Sequence, residues 1–213
     1  MVAEILRATH PDVLHRASEV LRSGGLVAFP TDTVYGLAAM PWLDRAVQRL
    51  YVVKRRSESK AIPLLLSGAD HLDRVALRAS VCQRVIEAFW PGGLTLVFAK
   101  TRRVSEVVSA GPSVAVRVPD LVLARELIEA AGGILAVTSA NISGGQNPAT
   151  AINVREQLGG SIELIINGGA CRHGVASTVL DCTVTPPKLL RAGAVSEADL
   201  RSALGHINTS IGG

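Results

Sequence analysis

The sequence predicts an α/β protein, a mixed β-sheet covered by helices. Three observations predict it. Short apolar runs alternate with segments of helical period through most of the 213 residues, as strands joined by helices do. Two such runs follow one another closely near the C-terminal end, which implies an antiparallel portion. Apolar residues make up 48% and charged ones 19%, enough for a core, and with aromatics at 3% that core must be assembled from Val, Leu, Ile and Ala. No composition shift, repeat or low-complexity block interrupts the chain. A single domain over 1–213 is expected, with a flexible tail from Asn208 to Gly213.

The elements follow in order. Val13, Leu14, Ala17, Val20 and Leu21 share one helical face between Pro11 and Ser23, and Gly24-Gly25 stops that helix by entering the left-handed conformation of a C-terminal cap. Leu26 to Phe29 reads as a buried strand. Ala46, Val47, Leu50 and Tyr51 predict a helix over 43–53, and Ile62 to Leu66 the next strand. Val81, Val85, Ile86 and Phe89 mark a helix ended by Pro91-Gly92-Gly93, with a strand over 94–99 behind it. A strand over 114–118, a helix over 121–131 closed by Gly132-Gly133, and strands over 134–137 and 164–166 around a helix over 151–158 continue the alternation. Strands over 178–181 and 188–191 come last, and Ser196-Glu197-Ala198-Asp199 has the form of a capping box opening a final helix.

Several classes drop out. No apolar run reaches about 18 residues, so no membrane span is expected. The N-terminus lacks a signal-peptide apolar stretch, and Cys82, Cys171 and Cys182, odd in number and without CxxC spacing, suit a reducing compartment better than a disulfide framework. The protein reads as cytoplasmic. The five histidines are scattered without HExxH, and GxSxG, GxxxxGK[ST] and a strand-linked GxGxxG are all missing. Metal hydrolysis and protein-derived nucleophiles are thereby disfavoured. The net charge of +4 fits anionic ligands, while the scarcity of rings argues against a stacking nucleic-acid surface.

What remains is a set of polar stretches at strand ends, where α/β sheets collect ligands. Pro30-Thr31-Asp32-Thr33-Val34-Tyr35-Gly36 places two hydroxyls, a carboxylate and a phenol after a strand, in residues that also make an ordinary turn. Lys54 to Lys60 holds four cations in seven residues, suited to a polyphosphate or to a solvated helix end. Arg117 interrupts an apolar strand and needs an anionic partner, either a ligand carboxylate or a structural counter-ion. Thr138 to Gly145 supplies hydroxyls, an amide and glycines that let backbone amides approach a phosphate. Ser177 and Arg191 each stand beside an apolar strand. Cations, hydroxyls and backbone amides suit phosphoryl or nucleotidyl transfer, where positioning and charge stabilisation carry the catalysis.

Taken together, these stretches resemble the YrdC/Sua5 family of threonylcarbamoyl-AMP synthases, short single-domain type. The likeness runs over about 25–193 and includes PTDTVYGL at 30–37, KxR at 54–56, FWPGGLTLV at 89–97, VAVRVP at 114–119, SANISG at 139–144, GVASTV at 174–179 and LLRAG at 189–193. It implies a twisted open sheet with a large basic concave face. It also implies synthesis of threonylcarbamoyl-AMP and pyrophosphate from L-threonine, bicarbonate and ATP, with Mg2+ bound through the ATP phosphates. The product would pass to the t6A transferase machinery, with tRNA or double-stranded RNA as a further partner. By motif, Thr33, Arg117, Val137 (through its backbone) and Ser177 would hold threonine. Arg56, Lys60, Ser113, Ser139, Asn147 and Arg191 would hold ATP, Lys54 and Arg56 would be the catalytic cations touching phosphate, and Asn141 and Tyr35 would organise the site from behind. No metal ligands are implied. Ser57, Leu65 and Ala192 depart from the family pattern, where a Pro, a His in long members and a Pro stand. The competing reading is a non-catalytic RNA-binding module on the same basic surface, for which an amino-acid pocket would have no use.

Overall fold

The computed structural model of the chain describes residues 2–205 and Asn208; the side chain of Val81, which helped to mark a helix, and the tail at 209–213 lie outside the described residues. Strands β1 (Glu4–Arg7), β2 (Val27–Phe29), β3 (Gly36–Ala39), β4 (Leu64–Leu66), β5 (Ala76–Leu77), β6 (Leu94–Lys100), β7 (Ser113–Arg117), β8 (Ile134–Ser139), β9 (Leu164–Asn167), β10 (Thr178–Asp181) and β11 (Lys188–Arg191) form one open mixed sheet. Its order is β1-β9-β2-β3-β8-β4-β7-β6-β10-β11, with β5 paired to β6 beside that path. The late pair β10–β11 is antiparallel, as expected from the short link between them.

Among the described residues six helices cover the sheet: α1 (Val13–Arg22), α2 (Asp44–Lys54), α3 (Gln83–Phe89), α4 (Val122–Ala130), α5 (Ala151–Leu158) and α6 (Glu197–Leu204). The chain behind α1 turns at Gly24, whose φ of 87° is the left-handed conformation expected of it. Ser196 caps α6 by accepting from the Asp199 amide, and Thr150 and Asn153 cap α5 reciprocally. On one face, Val13, Ala17 and Leu21 of α1 and Leu127 and Ile128 of α4 pack against Val27, Phe29, Leu135 and Ile166. On the other, α2, α3, α5 and α6 bury Leu37, Leu64, Leu96, Phe98 and Val116 in an aliphatic core.

Strand alternation then creates a second surface. Leu94, Leu96 and Phe98 of β6 point into that core, so Thr95, Val97 and Ala99 face away from it. Val97 lies opposite Ala115 and Ala99 opposite Ser113, so the matching side of β7 is Ser113, Ala115 and Arg117. This side of the sheet belongs to neither core and carries small and polar residues.

Three findings depart from the sequence reading. β1, β3 and β5, with the 3-10 turn over 69–74, were not anticipated. Gly36-Leu37-Ala38-Ala39 has weak β-propensity, yet β2 and β8 offer it antiparallel partners on both sides and all four residues are buried. Cys82 and Cys182 form a disulfide across 100 residues, so cysteine usage no longer argues for a reducing compartment; Cys171 is free. Asn208, placed in the expected flexible tail, exchanges backbone hydrogen bonds with Leu189 and Pro187. No helix among the described residues is long and apolar enough to cross a membrane.

Candidate active site

The loop after β2 is built on threonine hydroxyls. Thr31 Oγ1 donates to Val34 O at 2.7 Å and accepts from the Thr33 amide, so it receives rather than gives the proton shared with Thr33 Oγ1 at 3.0 Å. That leaves the Thr33 oxygen free to accept from Arg117 Nη1 at 2.7 Å. The turn expected of these residues is present, and the same turn presents Thr33 to the site.

Arg117, at the C-terminal end of β7, is 5% exposed. Its Nη2 donates to Asp32 Oδ1 at 2.5 Å and its Nε to Gly92 O at 2.8 Å, in the Pro-Gly-Gly turn before β6. The anionic partner required of this strand arginine is therefore Asp32. Burial pulls the Arg117 pKa down, Asp32 opposes that, and Arg191 adds to it. Asp32 Oδ2 is buried and, among the described residues, without a hydrogen-bond partner.

Just before β10, Ser177 Oγ pairs with Thr95 Oγ1 at 2.8 Å, while Arg191 of β11 donates through Nε and Nη2 to Ser177 O at 3.0 and 2.8 Å. Gly193 makes this approach possible: a Cβ there would collide with the backbone of Ala176 and Ser177. Arg56 follows α2, where Arg55 takes a left-handed φ of 50°, and its guanidinium donates to Lys60 O and Ala61 O. Burial pulls the pKa of Arg56 and of Arg191 down, and the Arg56 charge lowers that of Arg191 further.

Thr33, Arg56, Thr95, Arg117, Ser177 and Arg191 line one cavity of about 180 Å3, together with Tyr35, Val137, Ser139 and Asn147. That is below the roughly 300–1,000 Å3 of pockets that enclose a drug-sized ligand, so an amino acid fits inside and a nucleotide would extend over the open face. Thus Thr33, Arg117, Val137 and Ser177 share a cavity with Arg56, Ser139, Asn147 and Arg191. Tyr35 also ties the site to the turn after β9, its hydroxyl donating to Gly169 O and accepting from the Gly168 amide.

Four expected residues stand outside the cavity. Lys60 is exposed, and its carbonyl rather than its ammonium meets Arg56. Ser113 begins β7, four residues and therefore about 13 Å from Arg117. Asn141 lies behind the wall, accepting from Ser139 Oγ at 2.6 Å and donating to Gly145 O at 2.8 Å. Lys54, read as a phosphate contact, is 1% exposed and turns its ammonium into the wall, towards Ser139 O, Asn141 O and Asn141 Oδ1. Sequence reasoning missed Thr95 as the partner of Ser177 and Asp32 as that of Arg117. A lone guanidinium in an apolar strand signalled that a carboxylate was needed, but not which one.

Comparison with known proteins agrees with the motif pattern. A family model covering Sua5, YciO and YrdC, described as "Telomere recombination", matches residues 19–193. A threonylcarbamoyl-AMP synthase from Pyrococcus abyssi is 40% identical over 90% of this chain and 57% of its own length. One from Bacillus subtilis is 36% identical over 96% of this chain and 60% of its own length. The crystal structure of P. abyssi Sua5 complexed with L-threonine superposes with a TM-score of 0.92 at 37% identity, covering 98% of this chain and 62% of that one. The chain thus spans about three fifths of the length of these relatives.

Proposed function

Because this chain belongs to the Sua5/YciO/YrdC family, we propose that it is an L-threonylcarbamoyladenylate synthase, joining L-threonine, bicarbonate and ATP and releasing pyrophosphate. One observation carries the reading. Three guanidinium groups, Arg56, Arg117 and Arg191, line the same small cavity as Thr33 and Ser177, and among the described residues Asp32 is the one carboxylate paired with any of them. Such a site holds excess positive charge at some cost, and an anionic substrate relieves it.

In this reading Arg117, Thr33 and Ser177 seat threonine. The guanidinium fork holds the α-carboxylate, and the hydroxyls hydrogen-bond the remaining polar atoms. The neutral amine attacks the bicarbonate carbon, forming a C–N bond with loss of water to give a carbamate. A carbamate oxygen then attacks the α-phosphorus, and the bond to the bridging oxygen of the β-phosphate breaks to release pyrophosphate. The carbamate is already an anion, so this step needs no protein base. Arg56 and Arg191 offset charge on the phosphates, with Ser139 and Asn147 in the lining of the same cavity. Lys60 and Ser113 would reach ATP only beyond the cavity, Ser113 along the open side of β7.

Among the described residues no group of three or more His, Cys, Asp or Glu side chains could hold a metal, and Asp32 is committed to Arg117. Mg2+ would therefore be held through the nucleotide's own phosphate oxygens, where it supplies further charge neutralisation. ATP and a free amino acid are cytoplasmic substrates, and we place the protein there. The product would serve a transferase acting on tRNA, and the basic cavity rim would be the surface facing any RNA. A purely RNA-binding role leaves the buried Thr33–Arg117–Ser177 niche without use. The test is incubation with ATP, bicarbonate and radiolabelled threonine: label should enter a product that also contains AMP, and label confined to free threonine would refute the proposal.

A further inference from the structure

Lys54 is the last residue of α2 and one of the largest fully buried side chains in the protein. Its ammonium donates to Ser139 O and Asn141 O, each at 2.5 Å, and to Asn141 Oδ1 at 3.1 Å, which uses all three of its protons. Its own carbonyl accepts from the Ser143 amide at 2.9 Å. Lys54 therefore grips the 139–145 loop with both its head and its backbone. No ion pair among the described residues involves it.

The groups around it do not neutralise the charge. The 139–145 loop has no ionisable side chain. From α2, Tyr51 sits one turn earlier, with its hydroxyl donating to Val107 O. The segment after α2 brings Arg56, a second cation. Burial and then Arg56 lower the Lys54 pKa to about 8. An apolar side chain of the same shape would fill this space at less cost than an ammonium without a counter-ion. Its three acceptors all lie in the loop whose first residue, Ser139, lines the cavity and whose Asn141 side chain fixes the Ser139 hydroxyl.

We propose that Lys54 is a positioning residue, which serves ATP by clamping Ser139 in the cavity wall and Asn141 behind it, and by holding there a charge that no ion pair among the described residues offsets and that an anion in the cavity would compensate. The proposal rests on the functional reading above and assigns Lys54 a role through the loop instead of direct contact with phosphate. It also couples binding to protonation. An anion in the cavity favours protonated Lys54, so binding weakens as pH rises through the pKa of the free protein.

The test compares wild type, Lys54→Met, Asn141→Ala and the double variant, using pyrophosphate release for kcat and KM and direct calorimetric titration for the ATP Kd. For Lys54→Met the expected result is a retained thermal transition, with ATP binding weakened on the order of 10- to 100-fold and threonine KM moved much less. The wild type should lose ATP affinity as pH rises through about 8, and Lys54→Met should not. Combined with Asn141→Ala, the loss should be no larger than the worse single loss, since both act through one loop. Unchanged ATP binding in Lys54→Met overturns the proposal, and so do losses that multiply, because these would mean that Lys54 and Asn141 act independently. If Lys54→Met does not fold, Asn141→Ala alone decides: weakened ATP binding supports the loop's role, and wild-type binding overturns it. A wild type that binds ATP without threonine-dependent turnover defeats the functional reading alone, because Kd still scores Lys54.

Discussion

Arg117 and Asp32, 85 residues apart in the chain, form an ion pair with 7% and 1% of their side chains exposed. Asp32 Oδ1 also accepts from the Asp120 amide at 3.0 Å, so one carboxylate oxygen joins the loop after β2 to the chain leaving β7. The pair sets the plane of the guanidinium before any substrate arrives. Asp32→Ala leaves that cation buried and unpaired, an expected loss of about 3–5 kcal/mol in unfolding free energy. A denaturant titration reads it, and a loss under about 1 kcal/mol, the scale of a surface pair, would show that Asp32 does not hold Arg117 in solution.

The roles proposed for the three arginines of the cavity are separable. Arg117→Ala should raise the KM for threonine far more than that for ATP, because its fork lies with Thr33. Arg56→Ala and Arg191→Ala should do the reverse. Steady-state kinetics with each substrate varied in turn checks this, and equal losses for both substrates in any of the three would undo that residue's assignment.

Gly193 is a steric requirement. Any Cβ there meets the backbone of Ala176 and Ser177, so Gly193→Ala must push the start of β10 away from Arg191. We expect destabilisation of about 1–3 kcal/mol together with a higher threonine KM. Unfolding measurements and threonine kinetics read the two effects, and wild-type values in both would show that the strands relax freely.

The Lys54 ammonium also leaves a mark on stability. Its folded pKa of about 8 lies below the ordinary lysine value of 10.5, so between those values the unfolded chain keeps a proton that the folded chain has shed. Stability therefore gains a rising contribution with pH across that window. The difference between wild type and Lys54→Met, followed by denaturant titration from pH 7.5 to 10.5, isolates it from other groups. A flat difference would place the folded pKa near its ordinary value.

The Cys82–Cys182 bond closes a 100-residue loop between the approach to α3 and the end of β10. Cys182→Ser should cost about 2–5 kcal/mol while leaving both substrate KM values in place, since neither cysteine lines the cavity. Equilibrium unfolding of the variant measures the cost; an undiminished stability would mean that the bond constrains little.

Much of the fold was legible because apolar spacing reports helices and buried strands directly. The helix at Ala151–Leu158 and the strands at Thr178–Asp181 and Lys188–Arg191 lie where their apolar residues put them. β3 was not legible, since Gly and Ala carry no strand preference and only the flanking β2 and β8 impose one. β1 is a four-residue edge strand with charged ends, and its pairing with β9 depends on residues 160 positions away. At the site, residue types announced themselves and orientations did not. Lys54 and Arg56 are two residues apart, but the left-handed turn at Arg55 sends one head into the wall and the other to the cavity. The disulfide partners share no local spacing that could mark them.

Pyrophosphate release under substrate omission tests most directly whether one cavity joins an amino acid to a nucleotide. With ATP, bicarbonate and threonine present, pyrophosphate should form in proportion to threonine consumed, and omitting threonine should abolish it. Release at the same rate without threonine, or none with all three substrates, would contradict the account.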